Sequence, residues 1–230
     1  MSDNIIEPAF GYFGKIPDRG DFIQAHLSPE FVKPWNDWLQ ATLAVSREQL
    51  GEQWLDYYLT SPIWHFVLSP GVCGDSCVAG TLMPSIDQVG RHFYFTLASA
   101  VDCPAVRCWL GKEWSLMTEE HVLKLLDEPT ELDVWISELD SAAMFQQASL
   151  YQQTTQIETD NSDYMVLQDG LEYHSEFVLH RELRQRFERY CIWWTSGSEQ
   201  IAECTLVTKG MPLVSQFSAM LDGNWEKWGW

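Results

Sequence analysis

Apolar residues follow helical spacing in the early part of the chain. Over residues 29–50 they recur at intervals of three and four, and Ser28 followed by Pro29 is typical of an N-cap with proline in the first helical turn. This pattern predicts an amphipathic helix over 29–50 that carries Trp35 and Trp38 on its apolar side.

Continuous apolar runs bounded by glycine and proline predict strands in both halves of the chain, and such runs are typical of central strands covered on both faces. The predicted strands are 9–12, 64–68, 79–83, 92–99, 190–195 and 201–207. Further helices are predicted at 52–60, 114–126, 129–147, 177–187 and 217–221, and a loop at 151–163. Because little room is left for a linker, we expect one α/β (α+β) domain over residues 1–230, with a mixed or largely antiparallel central sheet flanked by helices.

The charge balance excludes several classes of function. The chain has 14 basic and 33 acidic side chains and a net charge of −19, so nucleic acids and anionic membrane surfaces repel it. The acidic residues concentrate in 113–176, where 15 of them face a single basic residue, Lys124. This excess is compatible with a basic protein partner, although solubility is the simpler explanation.

No signal peptide or membrane-spanning segment is visible, because no basic n-region opens the chain and no apolar run approaches about 18 residues. Six cysteines in 230 residues are too sparse for a disulfide-stapled secreted fold. We therefore expect a cytoplasmic protein with reduced thiols, no nucleic-acid partner and no membrane insertion. The 12 tryptophans are expected mainly in the core, with a contact surface as the alternative for some of them.

Two cysteine pairs invite a metal hypothesis, which their spacing does not support. Cys73 and Cys77 fit zinc-ligand spacing only loosely, the Cys103–Cys108 spacing is too wide, and no histidine pair completes either. We expect buried, inert thiols and neither a metal nor another cofactor.

Ser85, Asp87 and His92 suggest a hydrolytic triad, but no nucleophile elbow surrounds Ser85 and Pro84 precedes it. A turn after a strand is the favoured interpretation, with Asp87 accepting hydrogen bonds from backbone N–H groups. A hydrolase that uses Ser85 and Asp87 stays open as a weaker alternative. Otherwise no catalytic residues are predicted.

The segment over residues 11–22 lacks the spacing of a phosphate-binding loop. Its Arg-Gly-Asp tripeptide, residues 19–21, is a weak adhesion signal in a chain without a secretion signal. The glycines more simply supply backbone freedom around Pro17, and we expect Arg19 to pair with Asp21 or to cap a buried turn.

Several segments, in order, resemble the TagF family, which is associated with bacterial type VI secretion systems. They are Gly-Tyr-Phe-Gly-Lys-Ile-Pro at 11–17, Arg-Gly-Asp-Phe at 19–22, Pro-Trp-x-x-Trp-Leu at 34–39, Tyr-Leu-Thr-x-Pro at 58–62, Ser-Pro-Gly-Val-Cys-Gly at 69–74, Leu-Met-Pro-Ser-Ile-Asp-x-Val-Gly-Arg at 82–91, Trp-Trp-Thr-x-Gly at 193–197 and Gly-Met-Pro at 210–212. Asp18 and Cys77 depart from the usual pattern, and the acidic middle of the chain matches poorly.

The resemblance implies a non-catalytic accessory protein that regulates the secretion apparatus after translation. Some members of the family repress the apparatus together with its cytoplasmic forkhead-associated scaffold protein, which is therefore the expected partner. A structural adaptor of the apparatus is the alternative. The signature residues, as scaffold or interaction candidates, are Gly11, Phe13, Gly14, Lys15, Pro17, Arg19, Gly20, Asp21, Phe22, Trp35, Trp38, Gly71, Gly74, Pro84, Ser85, Asp87, Gly90 and Arg91.

Overall fold

A seven-stranded sheet forms the centre of the molecule in a computed structural model, which describes residues 9–127, 129–145 and 174–230. The strands are β1 (Phe10–Gly14), β2 (Ile23–Ala25), β3 (Trp64–Leu68), β4 (Cys77–Met83), β5 (Phe95–Val101), β6 (Cys191–Thr195) and β7 (Cys204–Thr208). Their order is β2-β1-β5-β4-β3-β6-β7, and each adjacent pair is antiparallel. The predicted α/β fold with a largely antiparallel sheet is confirmed.

Helices cover both faces of this sheet. They are α1 (Pro29–Leu50), α2 (Trp54–Leu59), α3 (Ala105–Leu110), α4 (Glu113–Asp127), α5 (Leu132–Ser137), α6 (Ser141–Met144), α7 (His174–Phe187) and α8 (Ala219–Asp222), and short 3-10 turns lie at Gly51–Gln53, Val214–Gln216 and Glu226–Trp228. Side chains of α1, α2 and α8 share one buried cluster with one face of the sheet. Side chains of α3 to α7 share the cluster on the opposite face.

Helix α1 forms as its local sequence predicts. The Ser28 side-chain oxygen accepts a hydrogen bond from the Phe31 backbone N–H at 3.2 Å, and Pro29 occupies the first turn. The helix ends at Gly51, whose φ of 56° lies in the region that favours glycine.

Tryptophans from α1 anchor that helix to the sheet. The Trp35 ring stacks on Trp193 of β6 with centroids 5.9 Å apart, and its indole N–H donates to the Thr96 hydroxyl at 2.9 Å. The Trp38 indole N–H donates to the Pro212 carbonyl at 2.8 Å. Both side chains are buried, so they belong to the core and not to a contact surface.

The opposite core is built around Trp114 of α4, which packs edge-on against Trp194 of β6 with ring centroids 5.5 Å apart. Its indole N–H donates to the Cys108 carbonyl at 3.1 Å, which joins α4 to α3. Trp135 of α5 completes this layer and donates its indole N–H to the His121 carbonyl at 3.1 Å.

Some predicted boundaries are wrong. The first strand lies at Phe10–Gly14 instead of 9–12, and the strand predicted from position 92 begins only at Phe95, because His92 forms just an isolated bridge with Ile86. The predicted helix over 129–147 is broken after Ser137, and Asp140 accepts a hydrogen bond from the Ala143 N–H to start a new short helix. The predicted loop over 151–163 lies outside the described residues.

The strand β2 and the helix α3 were not predicted. The three residues of β2 form an edge strand. Their local pattern does not predict a strand, and backbone pairing with β1 stabilises it. Within residues 9–127, 129–145 and 174–230, no helix combines the length and apolar character needed to cross a membrane.

Candidate functional site

Two of the signature residues, Lys15 and Arg91, meet at the carboxylate of a third, Asp87, which lies in the connection between β4 and β5. One of its oxygens accepts hydrogen bonds from Lys15 Nζ at 2.9 Å and Arg91 Nε at 2.6 Å. The other accepts from the backbone N–H groups of Val89 at 3.1 Å and Arg91 at 2.8 Å. The prediction that Asp87 holds backbone N–H groups in a turn is confirmed.

The environment of Asp87 favours its charged form. Burial alone would raise the pKa of this carboxyl, but the hydrogen bonds from Lys15, Arg91 and the two backbone N–H groups outweigh burial and lower the pKa. A carboxylate held by two cations is therefore a fixed negative charge that organises the turn. It is not suited to accept a proton at neutral pH.

This cluster joins two connections that are distant in sequence. Arg91 Nη2 donates to the Gly20 carbonyl at 2.6 Å, and the Gln88 backbone N–H donates to the Arg19 carbonyl at 3.0 Å. Gly90 supplies the positive φ, 81°, that the turn below Asp87 requires. The β1–β2 and β4–β5 connections are thus held together at one end of the sheet.

The predicted ion pair between Arg19 and Asp21 is wrong. Arg19 forms its ion pair with the adjacent Asp18, and its other guanidinium nitrogen donates to the Thr130 carbonyl at 3.3 Å, while Asp21 is exposed. Arg19 therefore ties the β1–β2 connection to the segment before α5. Gly20 accepts the Arg91 bond, and Pro17 lies half-buried before this turn.

An aromatic cluster lies beside Lys15. The Phe22 ring, which is 48% exposed, packs edge-on against Phe93 with centroids 4.8 Å apart and stacks on Phe13 at 5.8 Å. Lys15 Nζ lies 4.9 Å from the centre of the Phe22 ring. The charged cluster therefore continues into a partly exposed aromatic edge.

Glycines of β1 are required by close approach of neighbouring backbone. A Cβ on Gly14 would stand 2.2 Å from the Tyr94 carbonyl oxygen, and one on Gly11 would stand 2.5 Å from that of Ala25. The remaining signature glycines, Gly71 and Gly74, form the β3–β4 connection, where the Gly71 N–H donates to the Gly74 carbonyl at 2.8 Å. Gly11 and Gly14 are therefore required by packing, and Gly71 and Gly74 shape a turn.

The hydrolytic triad is not assembled. Ser85 is buried. The Tyr58 hydroxyl donates a hydrogen bond to the Ser85 carbonyl at 2.8 Å and accepts one from the Ser85 backbone N–H at 3.0 Å. The ring of His92 instead packs edge-on against Trp54 and Tyr58. In the part of the chain that the structure describes, no hydrogen bond links Ser85, Asp87 and His92, and Pro84 is a half-buried residue directly after β4.

The solvent-exposed side of α4 is a second feature, and it contains none of the residues predicted as site candidates. Four of its large apolar side chains are exposed: Leu116 by 59%, Met117 by 44%, Leu123 by 41% and Leu126 by 39%. The spacing of Leu116, Leu123 and Leu126 places these three along one side of the helix. Exposed acidic residues accompany them at positions 113, 120 and 127. We call these seven residues the α4 surface.

The buried side of α4 is fixed to the sheet by polar contacts. His65 Nε2 lies 3.0 Å from a Glu119 carboxylate oxygen, and His65 Nδ1 lies 2.9 Å from the Thr81 hydroxyl. That hydroxyl also lies 2.7 Å from the hydroxyl of Thr118. Burial lowers the pKa of His65 and outweighs the opposing effect of Glu119, so the ring is neutral near neutral pH.

A cavity of about 660 Å³ continues the α4 surface at the C-terminal end of the helix, and Lys124, Val134, Trp135 and Glu138 contribute to its lining. Val134 is 59% exposed there. The sequence indicates this exposed apolar surface, because α4 has more apolar residues than the single stripe that a surface helix needs to bury.

Among the residues that the structure describes, no cluster of three or more histidine, cysteine, aspartate or glutamate side chains has a geometry suited to a metal ion. Five of the six thiols are buried and Cys204 is half-buried.

Comparison with known proteins identifies the family. The model of the TagF N-terminal domain, described as type VI secretion system-associated, matches residues 11–142. The crystal structure of PA0076 from Pseudomonas aeruginosa PAO1 superposes with a TM-score of 0.74 at 29% identity, and the alignment covers 94% of this chain and 95% of that one. No curated protein sequence matches. More than half of the chain fits the family model, and the resemblance seen in the signature residues is confirmed, so this chain belongs to the TagF family of type VI secretion system-associated proteins.

Proposed function

We propose that this chain is a non-catalytic, cytoplasmic regulator that represses the type VI secretion apparatus by binding its forkhead-associated scaffold protein. Membership of a type VI secretion-associated family supports a role as an accessory protein of that apparatus. The observation that carries the binding role is the α4 surface, where four large apolar side chains of one 15-residue helix are exposed.

The composition of the α4 surface matches that of a protein-binding site. Leucine and methionine side chains lose unfavourable contact with water when a partner covers them. Glu113, Glu120 and Asp127 surround them with negative charge, which favours a partner with a basic rim around an apolar centre. We therefore expect the face of the scaffold protein that meets α4 to have an apolar centre and a basic rim.

Repression follows from competition for the scaffold. A scaffold protein held by this chain is withheld from apparatus assembly, and the chain then acts through mass action, without a chemical step.

A binding measurement between purified full-length proteins tests the proposal. The double variant Leu116→Ser with Leu123→Ser removes two apolar side chains of the α4 surface, and we expect scaffold affinity to fall at least about tenfold. The matched control is Leu59→Ser with Leu213→Ser, because these leucines are exposed by 58% and 62% and lie on the opposite side of the sheet. An equal loss of scaffold affinity in the two double variants contradicts the proposal. So does a wild-type chain that binds the scaffold in neither phosphorylation state.

Gene deletion separates a repressor from a structural adaptor. Loss of a repressor raises secretion by the apparatus, whereas loss of an adaptor lowers it. Complementation with the Leu116→Ser, Leu123→Ser chain should resemble deletion, and complementation with the Leu59→Ser, Leu213→Ser chain should restore the wild-type level.

A further inference from the structure

Three buried thiols gather where β4 begins, β5 ends and α3 begins. Cys77 is the first residue of β4, Cys103 follows β5, and Cys108 lies in α3. Their exposed fractions are 5%, 9% and 0%. Cys77 and Cys103 also line the same cavity.

Cys103 and Cys108 are in direct contact, with their sulfur atoms 2.8 Å apart. A disulfide needs about 2.05 Å between sulfurs, so closing the bond requires a displacement of less than about 1 Å. Local structure holds the pair in this arrangement. The Cys108 N–H donates to the Pro104 carbonyl at 3.4 Å, and the Trp114 indole N–H donates to the Cys108 carbonyl at 3.1 Å.

A cavity of about 470 Å³ gives solvent access to one of the two thiols. Cys103 contributes to its wall together with Cys77, Asp102, His180 and Arg184, whereas Cys108 is fully buried and does not line the cavity. The volume lies in the range of small-molecule sites, and the wall carries both an anionic and a cationic side chain. These properties suit a small, polar molecule that carries charges of both signs.

We propose that Cys103 and Cys108 form a redox-active dithiol that low-molecular-weight disulfides, such as glutathione disulfide, oxidise from this cavity. The Cys103 thiolate attacks one sulfur of the small disulfide, forms a mixed disulfide and releases one small thiolate. The Cys108 thiolate then attacks the Cys103 sulfur, closes the protein disulfide and releases the second small thiolate. Two protein thiols are oxidised and one small disulfide is reduced to two thiols.

The two cysteines have different tasks in this sequence. Cys103 faces the cavity and meets the oxidant, whereas Cys108 resolves the mixed disulfide. The hydrogen bond with Cys103 and burial both raise the pKa of the Cys108 thiol. Closure consumes the Cys108 thiolate, so its rate increases as pH rises.

The test uses the full chain, treated at pH 8 with glutathione disulfide, then alkylated and mapped by peptide mass spectrometry. In the wild type we expect a disulfide between Cys103 and Cys108 and a loss of two of the six titratable thiols. The Cys108→Ser variant should stop at a stable glutathione adduct on Cys103. Cys103→Ser should keep Cys108 free. Cys204→Ser removes the half-buried thiol, as a matched control, and should oxidise like the wild type.

The wild-type peptide map decides the outcome even where a variant fails to fold. A map in which Cys103 and Cys108 both remain alkylated overturns the proposal, as does oxidation only at Cys204 between two chains. An adduct on Cys77 in the Cys108→Ser chain, with Cys103 free, contradicts the assignment of Cys103 as the attacking thiol.

Discussion

Helices α1 and α4 lie on opposite faces of the same sheet and differ in what they show to solvent. The exposed positions of α1 carry charged, polar, proline or alanine residues. Of the eight exposed positions of α4, four are the large apolar residues Leu116, Met117, Leu123 and Leu126. A helix that serves only the core needs one apolar stripe, so α4 has a second apolar surface that the rest of the described chain leaves exposed.

The attachment of the two helices differs as well. α1 is anchored by large indole rings, and Trp35 alone contacts the rings of Phe66 and Trp193. α4 combines the ring of Trp114 with polar contacts, among them His65 to Glu119 and Thr81 to Thr118. Apolar anchoring is insensitive to pH, whereas the histidine contacts of α4 are not.

The largest expected effect comes from breaking the α1 anchor. Trp35→Ala removes a fully buried ring and the hydrogen bond to Thr96, and we expect the free energy of unfolding to fall by about 3–5 kcal/mol. Urea denaturation followed by circular dichroism measures this loss. A change below about 1 kcal/mol would show that α1 is not the principal anchor of its face.

A somewhat smaller effect is expected at the charged cluster that joins the two connections. Lys15→Met leaves the buried Asp87 with one fewer cation, and we expect a loss of about 3 kcal/mol in the same denaturation assay. The double variant Lys15→Met with Asp87→Asn tests the pair. Coupling between the two residues should make its cost smaller than the sum of the single costs, and strict additivity would contradict the pairing.

Mild acid should weaken the α4 layer. Burial lowers the pKa values of His65 and His121 below the ordinary 6.5, so the unfolded chain binds protons that the folded chain resists. Their contribution to stability is complete above about pH 6.5 and falls as pH decreases through the folded pKa values. Denaturation midpoints between pH 8 and 5 measure this loss, and His65→Gln should make the slope shallower.

Stronger acid should act on the charged cluster. The pKa of Asp87 is lower in the folded chain than its ordinary 3.8, so its contribution is complete above about pH 3.8 and falls as pH decreases towards the folded pKa. In the Lys15→Met variant, this loss should be smaller and should be complete at a higher pH, because a main cause of the lowered pKa is gone. Identical acid-denaturation midpoints in the variant and the wild type would contradict this prediction.

The smallest expected effect on stability lies on the α4 surface itself. Leu116→Ser with Leu123→Ser should change the free energy of unfolding by no more than about 1 kcal/mol, because both side chains are already largely in water. The same variant is expected to lose scaffold binding, so the two assays together separate an interaction role from a core role. A large loss of stability would show that these leucines pack within the fold.

Elements with strong local signals were predictable from the sequence. Helix α1 follows from its apolar periodicity and its Ser28 cap. The Pro-Ser-x-Asp pattern after a strand predicts Asp87 as a turn residue, and this signal is local because its N–H partners lie two and four positions ahead. Lys15, its partner 72 positions away, was recognised only as part of the family signature. The strand β2 was missed because an edge strand of three residues depends on pairing with β1.

The sequence by itself determined the element pattern, the acidic character and the family, since these depend on residue identity, spacing and order along the chain. Only the tertiary structure decided that Arg19 pairs with Asp18, that Ser85 is buried beneath Tyr58, that four apolar residues of α4 remain uncovered and that two thiols touch. The physical reason is that exposure and contact depend on how distant segments pack, and a one-dimensional pattern does not contain that information.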